Sequence, residues 1–437
     1  MSRYKAYSEY RDSGVEWLGL IPREWQLKSM KYMAKIKNGQ DYKTVEVDEG
    51  YPVIGSGGQF TYASSYTYAK ESVLLGRKGT IDKPLYINEP FWTVDTMYYT
   101  EINKDIYPKF LYYLALTIQF SRYSTNTALP SMTQEHLGSY RFAVPVSADE
   151  RKAIANFLDH ETAKIDTLIA KQQGLIKLLK ERRQAMISHA VTKGLNPNAP
   201  MRDSGVEWLG EVPAHWVVEK IRYLGDCQNG INIGADFFGS GYPFVSYGDT
   251  YRNEILPTEV TGLVESTAQD RKTYSVELGD VIFTRTSETI NEIGFSSTCL
   301  NTIENASFAG FLIRFRPIKS VLDPNFSKYY FRNVLLRAFF VKEMNLVTRA
   351  SLSQDLLKKL PVTLPSLVEQ KEIADFLDTK ALVFAKLIKN AELAIELMKE
   401  RRTALISATV TGKIDVRGWK PAPVSEFEDA AAEPAYA

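Results

Sequence analysis

The segment Leu179–Thr192 (LKERRQAMISHAVT) returns 219 positions later as Met398–Thr411 (MKERRTALISATVT). Upstream the echo continues at the same spacing, Glu150–Asp159 (ERKAIANFLD) answering Glu369–Asp378 (EQKEIADFLD). A long internal repeat fixes the architecture before any single element does. The chain is a duplicated unit, and each copy closes on one long helix. Apolar residues recur every three or four positions at Ile154, Leu158, Ile165, Leu168, Ile176 and Leu179, and again at Ile373, Leu377, Phe384, Leu387, Ile395 and Met398. Such spacing with charged residues between argues a coiled-coil seam. At about 1.5 Å per residue the first run alone spans roughly 60 Å, too long for one ordinary domain. Two equal spacers bury both stripes most economically by packing on each other, antiparallel, as a pseudo-two-fold pair.

A second repeated tag opens each unit. Arg11–Trp25 (RDSGVEWLGLIPREW) returns as Arg202–Trp216 (RDSGVEWLGEVPAHW), now 191 positions later, so the second unit holds extra residues between tag and helix. The tag reads as a packing motif anchored by Trp and Pro. Between tag and helix the copies barely resemble each other. Residues 26–127 offer short β-rich runs (Tyr51–Ile54, Val73–Leu75, Leu85–Ile87, Phe91–Tyr99) cut by Gly-rich turns, and residues 217–347 do the same (Pro243–Tyr247, Asp280–Arg285, Phe308–Phe315). One helix is expected in each, at Pro108–Tyr123 and Pro324–Glu343, with Pro at an early turn. The fold class is therefore α+β: two β-rich domains joined by two long helices. Expected boundaries are a first domain at 1–148, a spacer helix at 149–193, a linker at 194–201, a second domain at 202–365, a second spacer at 366–411, and a disordered tail at 412–437.

The sequence shows no GxxxxGK[ST] loop and no strand-linked GxGxxG. Four scattered histidines and two cysteines give no metal-ligand spacing and no disulfide framework, so neither a catalytic nor a metal residue is expected. No apolar run approaches the ~20 residues of a membrane span, and the N-terminal residues lack a secretion signal's core; a cytoplasmic protein with no membrane partner is expected. The net charge of +1 comes without a polybasic arm, so any phosphate-binding charge must be arranged in space. What remains is polar display on turns. In the first insert Ser56, Gly57, Gly58, Gln59, Arg77, Lys78 and Thr80 can present amides and a guanidinium to a flat surface. In the second, Ser246, Tyr247, Asp249, Arg285, Thr286, Ser287 and Glu288 do likewise. Similarity between copies resumes at Ser131 and Gln134, and at Arg349, Ser351 and Gln354. Arg reads guanine bidentately, Gln reads adenine, and acidic groups accept from cytosine, so these residues are the candidate DNA contacts. The repeated Lys-Glu-Arg-Arg (Arg182, Arg183; Arg401, Arg402) reads as a solvated helix face.

The doubled DSGVEWLG–Pro–Trp tag, Pro145 or Pro365 leading into ExKxIAxFLD, and the KERR–A–IS–VT helix end together resemble the specificity subunit of type I restriction–modification systems. The resemblance covers roughly residues 11–415; the unequal inserts and the acidic tail stand outside it. It implies two target-recognition domains, each reading one half of a split, asymmetric sequence in double-stranded DNA, on an antiparallel coiled coil that sets the gap and docks the methyltransferase subunits. It implies no catalysis and no cofactor in this chain. Its partners would be two methyltransferase subunits using S-adenosylmethionine and two restriction/translocase subunits using ATP and Mg. Two other readings stay open: a specificity subunit of a methylation-only or other multisubunit system, and a coiled-coil adaptor with two protein-binding heads.

Overall fold

The computed structural model describes residues 4–123, 130–287, 293–343 and 350–421. The chain forms two compact units, one built on residues up to Gln173 together with those from Leu393 onward, the other on Gly174–Glu392. The boundary falls inside both long helices, Ala148–Lys193 and Leu367–Val410. Each unit thus holds half of one helix beside half of the other.

In the first unit one sheet runs Ala34–Asn38, Met97–Ile102, Ser72–Gly76, Leu85–Ile87, with antiparallel neighbours throughout. A smaller sheet centres on Tyr51–Gly55, flanked by the parallel strand Trp92–Thr93 and the antiparallel Gly58–Ala63. A third pairing, Gln26–Ser29 with Arg141–Val144, closes the head at its base. The second unit repeats this plan. Gly225–Asn229, Leu312–Pro317, Val281–Thr284 and Ser296–Thr298 make the main sheet. Phe238–Val245 lies between antiparallel Leu263–Val264 and parallel Ser307–Phe308. Val217–Lys220 pairs with Pro361–Leu364 at the base. Two inserts of unlike sequence therefore share one strand order, apart from the edge strand Glu46–Val47 that only the first shows among the described residues, because a pleated sheet asks for apolar side chains at its buried positions rather than for particular residues. Much of the extra length in the second falls between Val245 and Val281: the short helix Tyr247–Arg252 lies between two strands of the small sheet and Ala268–Thr273 between the small and main sheets, each opened by a reciprocal capping box.

Several expected elements are shorter than the sequence suggests. The Phe91–Tyr99 run splits into Trp92–Thr93 and Met97–Ile102, one strand in each sheet. The helix expected over Pro108–Tyr123 stops at Ala115, followed by one 3₁₀ turn at Phe120–Arg122. The other breaks into Pro324–Phe331 and Leu336–Glu343. At this break Asn333 Oδ1 accepts from Leu335 N at 3.0 Å and from Ser188 Oγ at 2.6 Å, a local bond that competes with the helical ladder.

Both tags are buried anchors. Trp25 and Trp216 are almost fully enclosed, and Arg11 and Arg202 each donate to the following tryptophan carbonyl at 2.7 Å. Trp25 Nε1 and Tyr7 OH both donate to Glu150 Oε1, at 3.1 and 2.7 Å. In the second unit Glu369, the equivalent carboxylate, meets His215 Nε2 at 3.0 Å. Each tag thereby fastens the first turn of a long helix.

The spacers run antiparallel within each unit. In the first, Ile154, Phe157, Leu158 and Ile165 share a core with Leu405, Ile406 and Val410. In the second, Ile187, Ala190 and Val191 share one with Ile373 and Leu377. The seam follows an unbroken alternation of fours and threes: 158, 162, 165, 169, 172, 176, 179, 183 and 186, every member buried or half-buried. The second helix repeats it 219 residues on, from Leu377 to Leu405. This is the 3.5-residue period of a coiled coil, and it corrects two assignments. Leu168 and Leu387 are 50% and 45% exposed; the seam passes through Ile169 and Ile388 instead. It also takes in the second arginine of each Lys-Glu-Arg-Arg. Arg402 Nε donates to Asp166 Oδ1 at 2.9 Å in the first unit. Arg183 is half-buried and pairs with Glu254 at 3.4 Å in the second. Only Arg182 and Arg401 sit on a solvated face.

The expected tail does not start at 412. Val416 is buried, Trp419 stands edge-on to Phe157 with ring centroids 5.3 Å apart, and Asp415 N donates to Lys5 O at 2.8 Å. These two apolar side chains are reason enough for residues 412–421 to fold back onto the first unit. The remainder lies outside the described residues.

Candidate nucleic-acid interface

In the first unit the candidate loops converge. Met132 N donates to Arg77 O at 3.0 Å, Gly79 N donates to Pro130 O at 3.0 Å, and Lys78 and Ser131 form an isolated bridge. The segments carrying Arg77, Lys78 and Thr80 and those carrying Ser131 and Gln134 are therefore one surface. Gly79 has φ +82°, and a Cβ there would stand 3.7 Å from Ser56 Oγ. The hairpin with Ser56, Gly57, Gly58 and Gln59 thus borders the same patch. Arg77 is held rather than loose: its Nη1 donates to Asp95 O at 3.2 Å and its guanidinium lies 5.9 Å from the Tyr98 ring centroid. Lys78 and Gln59 are exposed.

The second unit closes its loops by the same bond. Leu352 N donates to Arg285 O at 2.7 Å, and Thr286–Ser287 pairs with Ala350–Ser351. Glu288 and Arg349 lie outside the described residues. Beside this closure each head sets a glutamine amide on the same backbone carbonyl of its first main-sheet strand. Gln134 Nε2 donates to Ile36 O at 3.4 Å and Asn38 Oδ1 at 3.3 Å. Gln354, with its amide turned to satisfy its neighbours, donates to Cys227 O at 2.8 Å and accepts from Asn229 N at 3.2 Å. Ile36 and Asn38 stand 191 residues before Cys227 and Asn229, the spacing of the tags. Side chains that do the same thing in both heads hold the frame; residues that differ between heads can discriminate.

Other candidates are placed differently from a simple loop. Ser246 caps the helix Tyr247–Arg252, and Asp249 Oδ2 accepts from Ser246 N at 2.9 Å and Oγ at 2.7 Å. This carboxylate is committed to a capping box, so the turn expected at Val245–Asp249 is a helix start. Tyr247 stacks on Tyr251 and Tyr251 on Phe295, at 5.8 and 5.3 Å between centroids. Two arginines that sequence reasoning missed brace this stack. Arg332 lies 4.7 Å from the Phe295 ring centroid and donates to Ser296 O at 2.8 Å. Arg337 lies 5.4 Å from the same ring and donates to the carbonyls of Ile293 and Gly294. Burial pushes the Arg337 guanidinium down to about 10, which leaves it a cation at neutral pH. No local motif marks either arginine; only the chain's return from Pro324 brings them there.

Both cysteines are buried, which pushes each thiol up to about 12. Among the described residues no group of three or more His, Cys, Asp or Glu could hold a metal ion. No helix among them is long and apolar enough to cross a membrane.

The type I restriction modification DNA specificity domain matches this chain twice, over residues 22–177 and 223–397. The chain belongs to that family. Each match covers one head and runs into the long helix that follows it. Specificity subunits are the DNA-recognition components of type I systems and are not themselves catalytic. The chain is 25% identical over 399 residues to the Escherichia coli type I restriction enzyme EcoBI specificity subunit, covering 85% of this chain and 82% of that one. It is 22% identical over 351 residues to the MjaVIII specificity subunit of Methanocaldococcus jannaschii, covering 79% and 76%. Among solved structures, one determined for complex assembly and conformational transition of the type I R-M system aligns at TM-score 0.68 and 14% identity, over 90% of this chain and 99% of that one. The HsdS subunit from Thermoanaerobacter tengcongensis aligns at 0.52 and 13%, over 92% and 100%. At such identities the structural likeness speaks for the fold.

Proposed function

We propose that each head reads one half of a bipartite, asymmetric double-stranded DNA target, and that the paired helices set the unread gap. The carrying observation is one loop closure, Arg77 O with Met132 N and Arg285 O with Leu352 N, built twice on one strand order with different side chains displayed around it. A constant frame with unlike displays suits two unlike half-sites, as fixed spacing between recognition elements suits a fixed separation on DNA. In this reading Arg77, Lys78 and Gln59 in one head and Arg285 to Ser287 in the other contact bases or phosphates, while Gln134 and Gln354 hold their loops. The recognition domains correspond to residues 1–148 and 202–365, and the spacers to 149–193 and 366–411. A gel-shift titration with the purified methyltransferase partner tests it. Binding should favour one bipartite duplex by at least about a thousandfold over random DNA; equal affinity for all sequences would instead mark a protein-binding adaptor.

The spacers also carry the partners in this reading. Leu178 and Leu397 occupy equivalent positions 219 residues apart and are 62% and 56% exposed. Two equivalent apolar sites suit two methyltransferase subunits, which bring S-adenosylmethionine; two ATP- and Mg-dependent restriction/translocase subunits complete the assembly. Leu178→Asp together with Leu397→Asp should weaken co-purification of the methyltransferase subunit by about tenfold or more, the scale of one lost hot-spot side chain. The melting temperature should stay unchanged. Undiminished co-purification would move the docking surface elsewhere.

A further inference from the structure

The head helix of each unit meets its spacer through the same three-residue arrangement. In the first unit Lys109 Nζ donates to Asp159 Oδ2 at 2.6 Å and Tyr113 OH donates to Asp159 Oδ1 at 2.7 Å. In the second, Lys328 Nζ and Tyr329 OH both donate to Asp378 Oδ1, at 2.7 and 2.6 Å. Asp159 and Asp378 are repeat partners on the spacers, 219 residues apart. The head helices show no such repeat. Both tyrosines stand five residues after the opening proline, but the lysine sits one residue after Pro108 in one head and four after Pro324 in the other. These two lysine positions lie about one helical turn apart on one face, so the same ammonium–carboxylate–phenol contact is reached by different routes. Inherited sequence identity does not explain that; a shared requirement on how each head seats on its spacer does.

We propose that Asp159 and Asp378 are positioning residues whose clamps fix the angle of each head on its spacer and thereby hold the target to one gap length. The inference rests on the bipartite reading above. A carboxylate taking a charged and a phenolic hydrogen bond at once is restrained in two directions, more than either bond alone imposes. Both tyrosines are buried, and the Asp159 hydrogen bond raises the Lys109 ammonium above its ordinary range, so the lysine of the first clamp stays a cation at neutral pH. Other directed bonds also join head to spacer, among them Arg151 Nη2 to Asp105 O at 2.8 Å and Gln370 Nε2 to Val321 O at 3.1 Å. Each aspartate stands about two helical turns further along its spacer, so the clamp fixes the seating at a second point, and two separated directed bonds restrain an angle more sharply than one.

The test is methylation mapping with the full chain assembled with its methyltransferase subunits, comparing the unaltered protein with Asp159→Ala and Asp378→Ala. Each variant should keep both half-sites. Sites whose gap differs by one base pair should gain methylation about tenfold, the scale of one lost hydrogen bond to a charged group. Tyr113→Phe and Tyr329→Phe, which remove only a hydroxyl, carry the same readout should an aspartate variant fail to fold. Lower methylation at an unchanged single gap in all four variants would make the clamps merely structural and overturn the proposal. If the unaltered chain directs no bipartite methylation, the recognition reading itself falls and the clamp with it.

Discussion

Exchanging residues 30–140 for the matching stretch of another specificity subunit will replace one half of the recognised sequence and leave the other half and the gap unchanged. The boundaries follow from the base of the head. Gln26–Ser29 pairs with Arg141–Val144, and that pair belongs to the frame. Met30 N donates to Tyr140 O at 3.0 Å immediately inside it. An exchange must also carry the Pro130–Gln134 segment, because this segment closes onto Arg77. Ending at residue 127, where sequence similarity alone would cut, separates the two halves of one loop surface. Each mismatched base pair costs about 1–3 kcal/mol. Losing several matched base pairs at once should therefore lower methylation at the old target by roughly a thousandfold or more. Site mapping on a host genome reads this directly. A change in both halves would mean that the heads do not read separately.

The second large effect concerns the phase of the seam. Ile165→Asp and Ile395→Asp should each lower the stability of the chain by about 3 kcal/mol or more, since they place an unpaired carboxylate in a buried apolar seam. Leu168→Asp and Leu387→Asp should stay within about 0.5 kcal/mol, because both side chains already face solvent. Urea unfolding of the four variants separates the two sets. The reverse order would restore the phase that sequence spacing alone suggests. Position 168 matters because it lies only three residues beyond a true seam residue. Local three-and-four spacing admits either 168 or 169 after 165, and only the pairing of two helices over many turns decides for 169.

That ambiguity marks where the sequence is legible and where it is not. The duplication, the α+β class, the long helices and the anchoring tags are all carried by identity between copies or by periodicity. The common topology of the heads is not, since sheet order depends on contacts between residues far apart in the chain. Yet a thread of it was present. Asn38 and Asn229 keep the 191-residue spacing of the tags, and following that register past Trp25 would have aligned the first strand of both main sheets. The Asp249 carboxylate could also have been set aside early, because Ser246 and Asp249 stand at capping-box spacing. The break at Asn333 and the stacking of Arg332 and Arg337 on Phe295 had no local signal. Ile414, Val416 and Trp419, three apolar side chains close behind the second helix, were the sign that its end is followed by packed chain.

The central claim is that one chain carries two independent readers on a spacer of fixed length. Genome-wide mapping of methylated sites made by the unaltered chain with its methyltransferase subunits tests it most directly. The account requires two short, unlike sequences separated by a single constant gap of unread bases, with both parts needed for modification. A continuous motif, or a half-site modified equally well by itself, would contradict it.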